Sequence, residues 1–141
     1  MLGDSVRDGE FDGGRLKSVS TVNHGDVKFE ADNFILASGS FFSKGLTSDV
    51  DGVRESVFGL DVESLETRSD WYRRDLFQAQ PYMNFGVKTD DGFRTFRNGM
   101  PVENLYAVGS VLGGSNALKE GCGAGVAVLT ALHVSSFLCK E

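Results

Sequence analysis

Residues Asn104–Leu138 read NLYAVGSVLGGSNALKEGCGAGVAVLTALHVSSFL, and the rest of the chain is read outward from them. Leu105, Tyr106, Ala107 and Val108 form a short apolar run of the kind that makes a buried strand. Gly109, Gly113, Gly114, Gly121, Gly123 and Gly125 follow within seventeen residues, and from Val126 to Leu138 there is neither Gly nor Pro. Val126, Leu129, Leu132, His133 and Phe137 fall close to helical spacing, which predicts a helix. Strand, glycine loop and helix in this order let a backbone approach a ligand closely and aim free N–H groups at it. A helix N-terminus with unpaired donors suits a phosphate, a carboxylate or the N1–C2=O edge of a flavin. Glycine spacing by itself is equally compatible with tight strand–helix packing.

The chain has 141 residues, about one domain's worth, with a formal charge of −6. That charge argues against a nucleic-acid surface and against a polybasic membrane anchor. No run approaches the ~20 apolar residues of a spanning helix, and MLGDSVRDGE does not read as a signal peptide. Two cysteines, Cys122 and Cys139, fit a reducing cytoplasmic setting better than a disulfide framework or a four-ligand zinc site, and no metal is expected. Eighteen glycines against two prolines is the one compositional skew, without repeat or low-complexity tail.

Ahead of the central stretch, Leu16–Asn23 and Val27–Ala31 flank the turn His24-Gly25-Asp26 and predict a hairpin. Asn33–Gly39 reads as a strand buried on both faces. Phe41–Arg54 reads as a loop, Val57–Val62 as a short strand, and Arg68–Gln78 as a helix ended by Gln80-Pro81. Phe85–Thr89 and Phe93–Phe96 predict a second hairpin about Asp90-Asp91-Gly92. Two buried strands thus end in small residues, Ala37-Ser38-Gly39 and Val108-Gly109-Ser110. In open α/β sheets ligands gather at such carboxyl ends.

Five segments carry a family resemblance: FILASGSFFSKGL (34–46), FGLDV (58–62), TRSDWY (67–72), FGVKTDDGFR (85–94) and VENLYAVGSVLGGSNALKEGCGAGVAVLTAL (102–132). In that order they resemble the C-terminal part of the B subunit family of anaerobic glycerol-3-phosphate dehydrogenase. That family lies within the two-dinucleotide-fold class that contains the fumarate reductase flavoprotein. The resemblance runs from about Gly3 to the end. It implies an α/β fold, α+β within this piece, forming the C-terminal part of a Rossmann-like flavin-binding fold. It divides into 1–40 (hairpin and core strand), 41–100 (loops, short helix, hairpin) and 101–141 (strand, glycine loop, helix).

The activity so implied is oxidation of sn-glycerol 3-phosphate to dihydroxyacetone phosphate in anaerobic respiration, with electrons passing to quinone. FMN is the implied cofactor and FAD the second choice. The implied partners are the flavin-bearing A subunit of the same dehydrogenase and its iron–sulfur C subunit, which docks the complex at the inner face of the cytoplasmic membrane. The family's N-terminal Gly-x-Gly-x-x-Gly unit is not in this sequence, so a split flavin site and self-association of the exposed apolar edges are expected. Ser110 stands where the wider class places an acid on the ribityl hydroxyls. A non-catalytic scaffold is the rival reading.

The resemblance and the glycine loop together nominate Gly109, Ser110, Gly121, Cys122, Gly123 and Ala124 as flavin-facing, through N–H groups that would stabilise charge on reduction. Ser38 and Gly39 are nominated for the adenosine or phosphate side. For substrate phosphate the candidates are Arg73, Arg74, Arg94, Arg97, Lys44 and Lys119. His24 and His133 are not placed like a catalytic base, and no catalytic residue is nominated. Cys122 is read as a small filler residue, against the alternative of a thiol activated by the helix N-terminus. Trp71, Tyr72 and Phe77 are expected in a core or interface.

Overall fold

The computed structural model describes residues 3–139, with backbone alone at 117 and 118. Its centre is β10 (Met100–Ala107), which pairs parallel with β4 (Phe34–Leu36) and antiparallel with β9 (Arg94–Arg97). Leu105 and Ala107 of β10 are fully buried, with Val102 nearly so. Together with Leu16, Leu36, Leu46, Phe58, Leu60, Val87, Val111 and Leu112 they form one apolar core. A second sheet, β1 (Val6–Asp12), β2 (Arg15–Thr21) and β3 (Lys28–Glu30), is antiparallel throughout.

A single buried side chain ties the second sheet to β10. Asn104, 2 % exposed, accepts the Leu16 N–H at 2.9 Å and donates to the carbonyls of Leu16 and Asp32, each at 2.9 Å. An asparagine amide does here what a further strand would do: it satisfies backbone groups that would otherwise be buried unpaired.

The expected hairpin of Leu16–Asn23 and Val27–Ala31 is present as β2 and β3. β1 was not expected, since VRDGEFD shows charge rather than alternation and buries little. Strand β4 is shorter than Asn33–Gly39 and is not buried on both faces, because Ile35 is 49 % exposed. The region read as a loop, 41–54, contains a 3₁₀ turn (Phe41–Ser43) and a ribbon of β5 (Leu46–Ser48) and β6 (Val53–Glu55).

Val57–Val62 is mostly not a strand. The Glu55 carboxylate accepts the N–H groups of Val57, Phe58 and Leu60, so these cannot join a ladder. Only β7 (Val62–Glu63) pairs, with β8 (Gly86–Val87). The second hairpin keeps its turn, where Asp90 Oδ1 accepts from the N–H groups of Gly92 and Arg94. Its arms differ from expectation: they meet at one bridge, Thr89 with Thr95, while β9 pairs with β10.

The helix expected over Arg68–Gln78 is absent. A single 3₁₀ turn covers Arg68–Asp70, and the Gln80 amide then organises the chain. Its oxygen accepts from Arg73 N at 2.7 Å, and its nitrogen donates to the carbonyls of Asp75 and Gln78. Leu76 and Phe77 lie in solvent, so the segment has no buried stripe to stabilise a helix.

The helix of the central stretch is present as α2 (Gly123–Leu138), preceded by one turn, α1 (Ala117–Glu120). Its buried residues are Thr130 and Val134, whereas Leu129, Leu132 and Phe137 are exposed. Apolar residues surround this helix on more than one face, so spacing alone could not say which face meets the core.

Removing the Asn104 amide should leave the Leu16 N–H and carbonyl without their partner in the interior, whereas the Asp32 carbonyl keeps Arg15 Nη2 at 3.4 Å. Asn104→Ala is expected to cost about 2–4 kcal/mol. Urea denaturation checks this, with a much smaller loss if water replaces the amide.

Candidate functional site

The carboxyl ends of β4 and β10 lie side by side because the strands are parallel neighbours; Val108 N donates to Leu36 O at 3.0 Å. The chain leaves both strands through left-handed glycines, Gly39 at φ 78° and Gly109 at φ 75°. A Cβ built on Gly39 would lie 3.6 Å from Ser110 Oγ, so Ser38-Gly39 and Gly109-Ser110 share one location. Gly45 packs onto the same turn so tightly that a Cβ there would overlap the Gly39 carbonyl. The Ser38 hydroxyl is buried and has no hydrogen-bond partner among the described residues. An orphaned buried hydroxyl at a strand end is uncommon and marks this turn as one that packing alone does not account for.

Beside this turn opens a cleft of about 270 Å³, lined by Ser40, Phe41, Phe42, Tyr82, Met83, Phe85, Ser110, Ser115 and Asn116. It joins apolar rings to a few hydroxyl and amide groups, the usual make-up of a small-molecule pocket. The volume suits one ring system. Of the nominated residues Ser110 lines it directly, and Ser38 and Gly39 sit in the adjoining turn. Phe41 and Tyr82, ring centroids 6.3 Å apart, were not nominated. The only sequence signal for them was aromatic density flanking Gly45 and Pro81, and neither lies in a periodic element.

Gly109 plays a different part from the one expected. Its N–H donates to Thr130 Oγ1 of α2 at 3.0 Å, and a Cβ on it would sit 3.6 Å from Ala127. That N–H is engaged, so it is no free donor; Gly109 fits helix α2 against the strand end. Thr130 Oγ1 in turn donates to Val126 O.

Gly121, Cys122, Gly123 and Ala124 stand apart at the start of α2 and do not line the cleft. Gly121 ends α1 in the left-handed region, and Cys122 occupies the N-cap without capping by its side chain. The N–H groups of Gly123, Ala124 and Gly125 therefore have no intrahelical acceptor. The Cys122 thiol donates to Glu120 Oε2 at 3.3 Å. That hydrogen bond to a carboxylate, helped by burial and by the Glu120 charge, pushes its pKa above the ordinary thiol range. The Glu120 carboxylate thus favours the thiol over the thiolate at Cys122.

The two histidines lie away from the cleft. His24 Nδ1 is 2.6 Å from Asp4 Oδ2 and 3.0 Å from Thr21 Oγ1, which clamps the first described residues to the β2–β3 turn. Burial pushes the Asp4 carboxyl up, but hydrogen bonds from Thr21, Asn23 N, His24 and Ser5 N outweigh it and hold the pKa at about 2. His133, on α2, packs edge-on against Phe93 and Phe137. Among the described residues no group of His, Cys, Asp and Glu could hold a metal ion.

The family model described as "FAD binding domain" matches residues 1–126. The chain belongs to that family. Its mixture of strands with a C-terminal helix fits a Rossmann-like flavin-binding fold. Curated relatives point further. The chain is 45 % identical over its full length to the B subunit of anaerobic glycerol-3-phosphate dehydrogenase of Yersinia pseudotuberculosis, covering 33 % of that protein. It is 47 % identical over 88 % of its length to the Pectobacterium atrosepticum counterpart, covering 30 %, and 40 % identical over 90 % to that of Aliivibrio fischeri, covering 28 %. The chain thus spans about a third of the length of these relatives. No solved structure matches.

If Glu120 holds the Cys122 proton, Glu120→Gln should speed alkylation of Cys122 at pH 7.5 by several-fold. The comparison is made by mass spectrometry in a Cys139→Ser background, since Cys139 is also free. Equal rates would show that the carboxylate does not set the thiol pKa.

Proposed function

We propose that this chain forms the strand-end part of the flavin site in a B subunit of the anaerobic glycerol-3-phosphate dehydrogenase type. The reaction would be oxidation of sn-glycerol 3-phosphate to dihydroxyacetone phosphate, with electrons delivered to quinone. The observation that carries the reading is the cleft at the adjacent carboxyl ends of β4 and β10, with the orphaned Ser38 hydroxyl beside it, in a chain of a flavin-binding family.

A bound flavin supplies hydride-accepting chemistry. The residues present fit such a group. Ser40, Ser110 and Ser115 offer hydroxyls to polar edges, and Phe41, Tyr82 and Phe85 give apolar walls that exclude water. The open N–H groups of Gly123, Ala124 and Gly125 offer a positive helix end to an anionic group. FMN is the proposed flavin; FAD, for which the family is named, is the second candidate. The flavin-bearing A subunit and the iron–sulfur C subunit are the proposed partners. Peripheral attachment at the membrane through those partners is part of the proposal; among the described residues no helix is long and apolar enough to cross a membrane.

One observation favours a second reading, a scaffold without chemistry of its own: the Gly109 N–H, placed where a flavin donor was expected, is already engaged by Thr130. An FMN and FAD titration followed by flavin fluorescence separates the two. The flavin reading expects saturable quenching, weak for this chain and at least tenfold tighter for a protein of the relatives' full length. No quenching by either would leave the scaffold.

Val128, Leu129, Leu132 and Phe137 expose an apolar face of α2 that should drive self-association of the isolated chain. Light scattering should give a mass above 15.2 kDa that rises with concentration. A concentration-independent monomer would count against this.

A further inference from the structure

Asn116 lines the strand-end cleft although the residue is only 3 % exposed. It is the N-cap of α1, and its Oδ1 accepts the Lys119 N–H at 3.0 Å. That cap fixes which end of the amide points which way. Turned over, the NH₂ group would meet the Lys119 N–H, donor against donor. The backbone is pinned as well. Glu120 N donates to Asn116 O at 3.0 Å, and Gly114 N donates to Asn84 O at 2.8 Å, which ties the segment to the turn that walls the cleft.

With the oxygen committed, Asn116 Nδ2 has no acceptor among the described residues. Nor is it sealed in, since Ser38 Oγ alone among those residues is both unpartnered and shut off from solvent. A reachable amide nitrogen on a residue otherwise buried in the cleft wall presents its N–H groups to whatever fills the cleft. Water satisfies such groups in an open cleft; a ligand that displaces it has to bring an acceptor or lose affinity. The serine and tyrosine hydroxyls of the wall rotate and accept as well as donate, whereas an amide NH₂ only donates. None of the cations nominated from the sequence, Arg73, Arg74, Arg94, Arg97, Lys44 and Lys119, lines this cleft. The Gly109 N–H, expected to serve a flavin, is taken by Thr130.

We infer that Asn116 is a specificity-determining residue of the cleft: its side-chain amide donates to a carbonyl oxygen on the edge of the flavin ring and so selects a ring that carries one. This rests on the flavin reading of the cleft and assigns to a side chain the donor role that the glycine loop was expected to fill. No sequence pattern marked Asn116, which precedes a helix of a single turn.

A double-mutant cycle between the residue and the ring tests this. Asn116→Ser keeps a good N-cap but is too short to carry the donor, and 2-thio-FMN and 4-thio-FMN each replace one ring carbonyl by a poor acceptor. Affinities are read by difference absorption, on the chain and on a protein of the relatives' full length. Asn116→Ser should weaken FMN binding about tenfold, the loss of one buried hydrogen bond, with unaltered far-ultraviolet circular dichroism. One of the two thio analogues should bind wild type about tenfold more weakly than FMN does, and that penalty should vanish in the Ser variant. Equal FMN affinity of wild type and variant overturns the inference. So does a thio penalty of the same size in both, which makes Asn116 a wall residue only, and so does the absence of any thio penalty in wild type. If Asn116→Ser misfolds, Asn116→Asp, which keeps the cap and also lacks the donor, goes through the same cycle with the same criteria. Flavin binding that ignores the variant defeats this inference alone, whereas no flavin binding by either the chain or the full-length protein defeats the reading beneath it.

Discussion

β10 has to pair on both edges and pack on both faces at once. Leu105 and Ala107 lie in the core, β4 and β9 take its backbone, and Asn104 takes the backbone of β2. Everything near the candidate site hangs from this strand. Its parallel pairing with β4 brings two strand ends together, which antiparallel pairing would have sent to opposite edges. The helix that follows is then held against the strand end by Gly109 and Thr130.

The strand ends are crowded by close backbone approach rather than by bulky side chains. Gly45 lies on Gly39 and Gly86 lies on Leu112-Gly113, both closer than any side chain would permit. These contacts pull the 41–43 turn and the 81–85 turn over the ends of β4 and β10. Their aromatic residues then wall the cleft. Gly45 and Gly86 thus record close backbone packing, whereas eleven other glycines take left-handed φ values in turns and at element ends.

What the sequence revealed depended on how each element is stabilised. Strand β10 and helix α2 were legible because long apolar runs bounded by glycines report burial directly. The two strand ends were legible for the same reason, and the cleft does lie at them. Strand β1 and the β5–β6 ribbon were hidden, since exposed two- and three-stranded ribbons carry little hydrophobic pattern. The segments after Glu55 and Arg68 misled. Side chains of Glu55 and Gln80 capture backbone groups there, and such captures leave no periodic trace. Within the glycine loop, residue type could not separate Gly109, whose N–H is engaged internally, from Gly123, whose N–H is open. That distinction depends on Thr130, twenty-one residues beyond Gly109. Phe41 and Tyr82 lie in turns, where spacing has no meaning.

The central claim is that a flavin binds at the paired ends of β4 and β10. Hydrogen–deuterium exchange of the chain with and without saturating FMN tests it at peptide resolution. The account predicts added protection in 38–45, 81–86 and 109–116, and at the start of α2, with β1–β3 unchanged. Protection confined to other segments, or none at flavin concentrations that saturate the full-length protein, would contradict it.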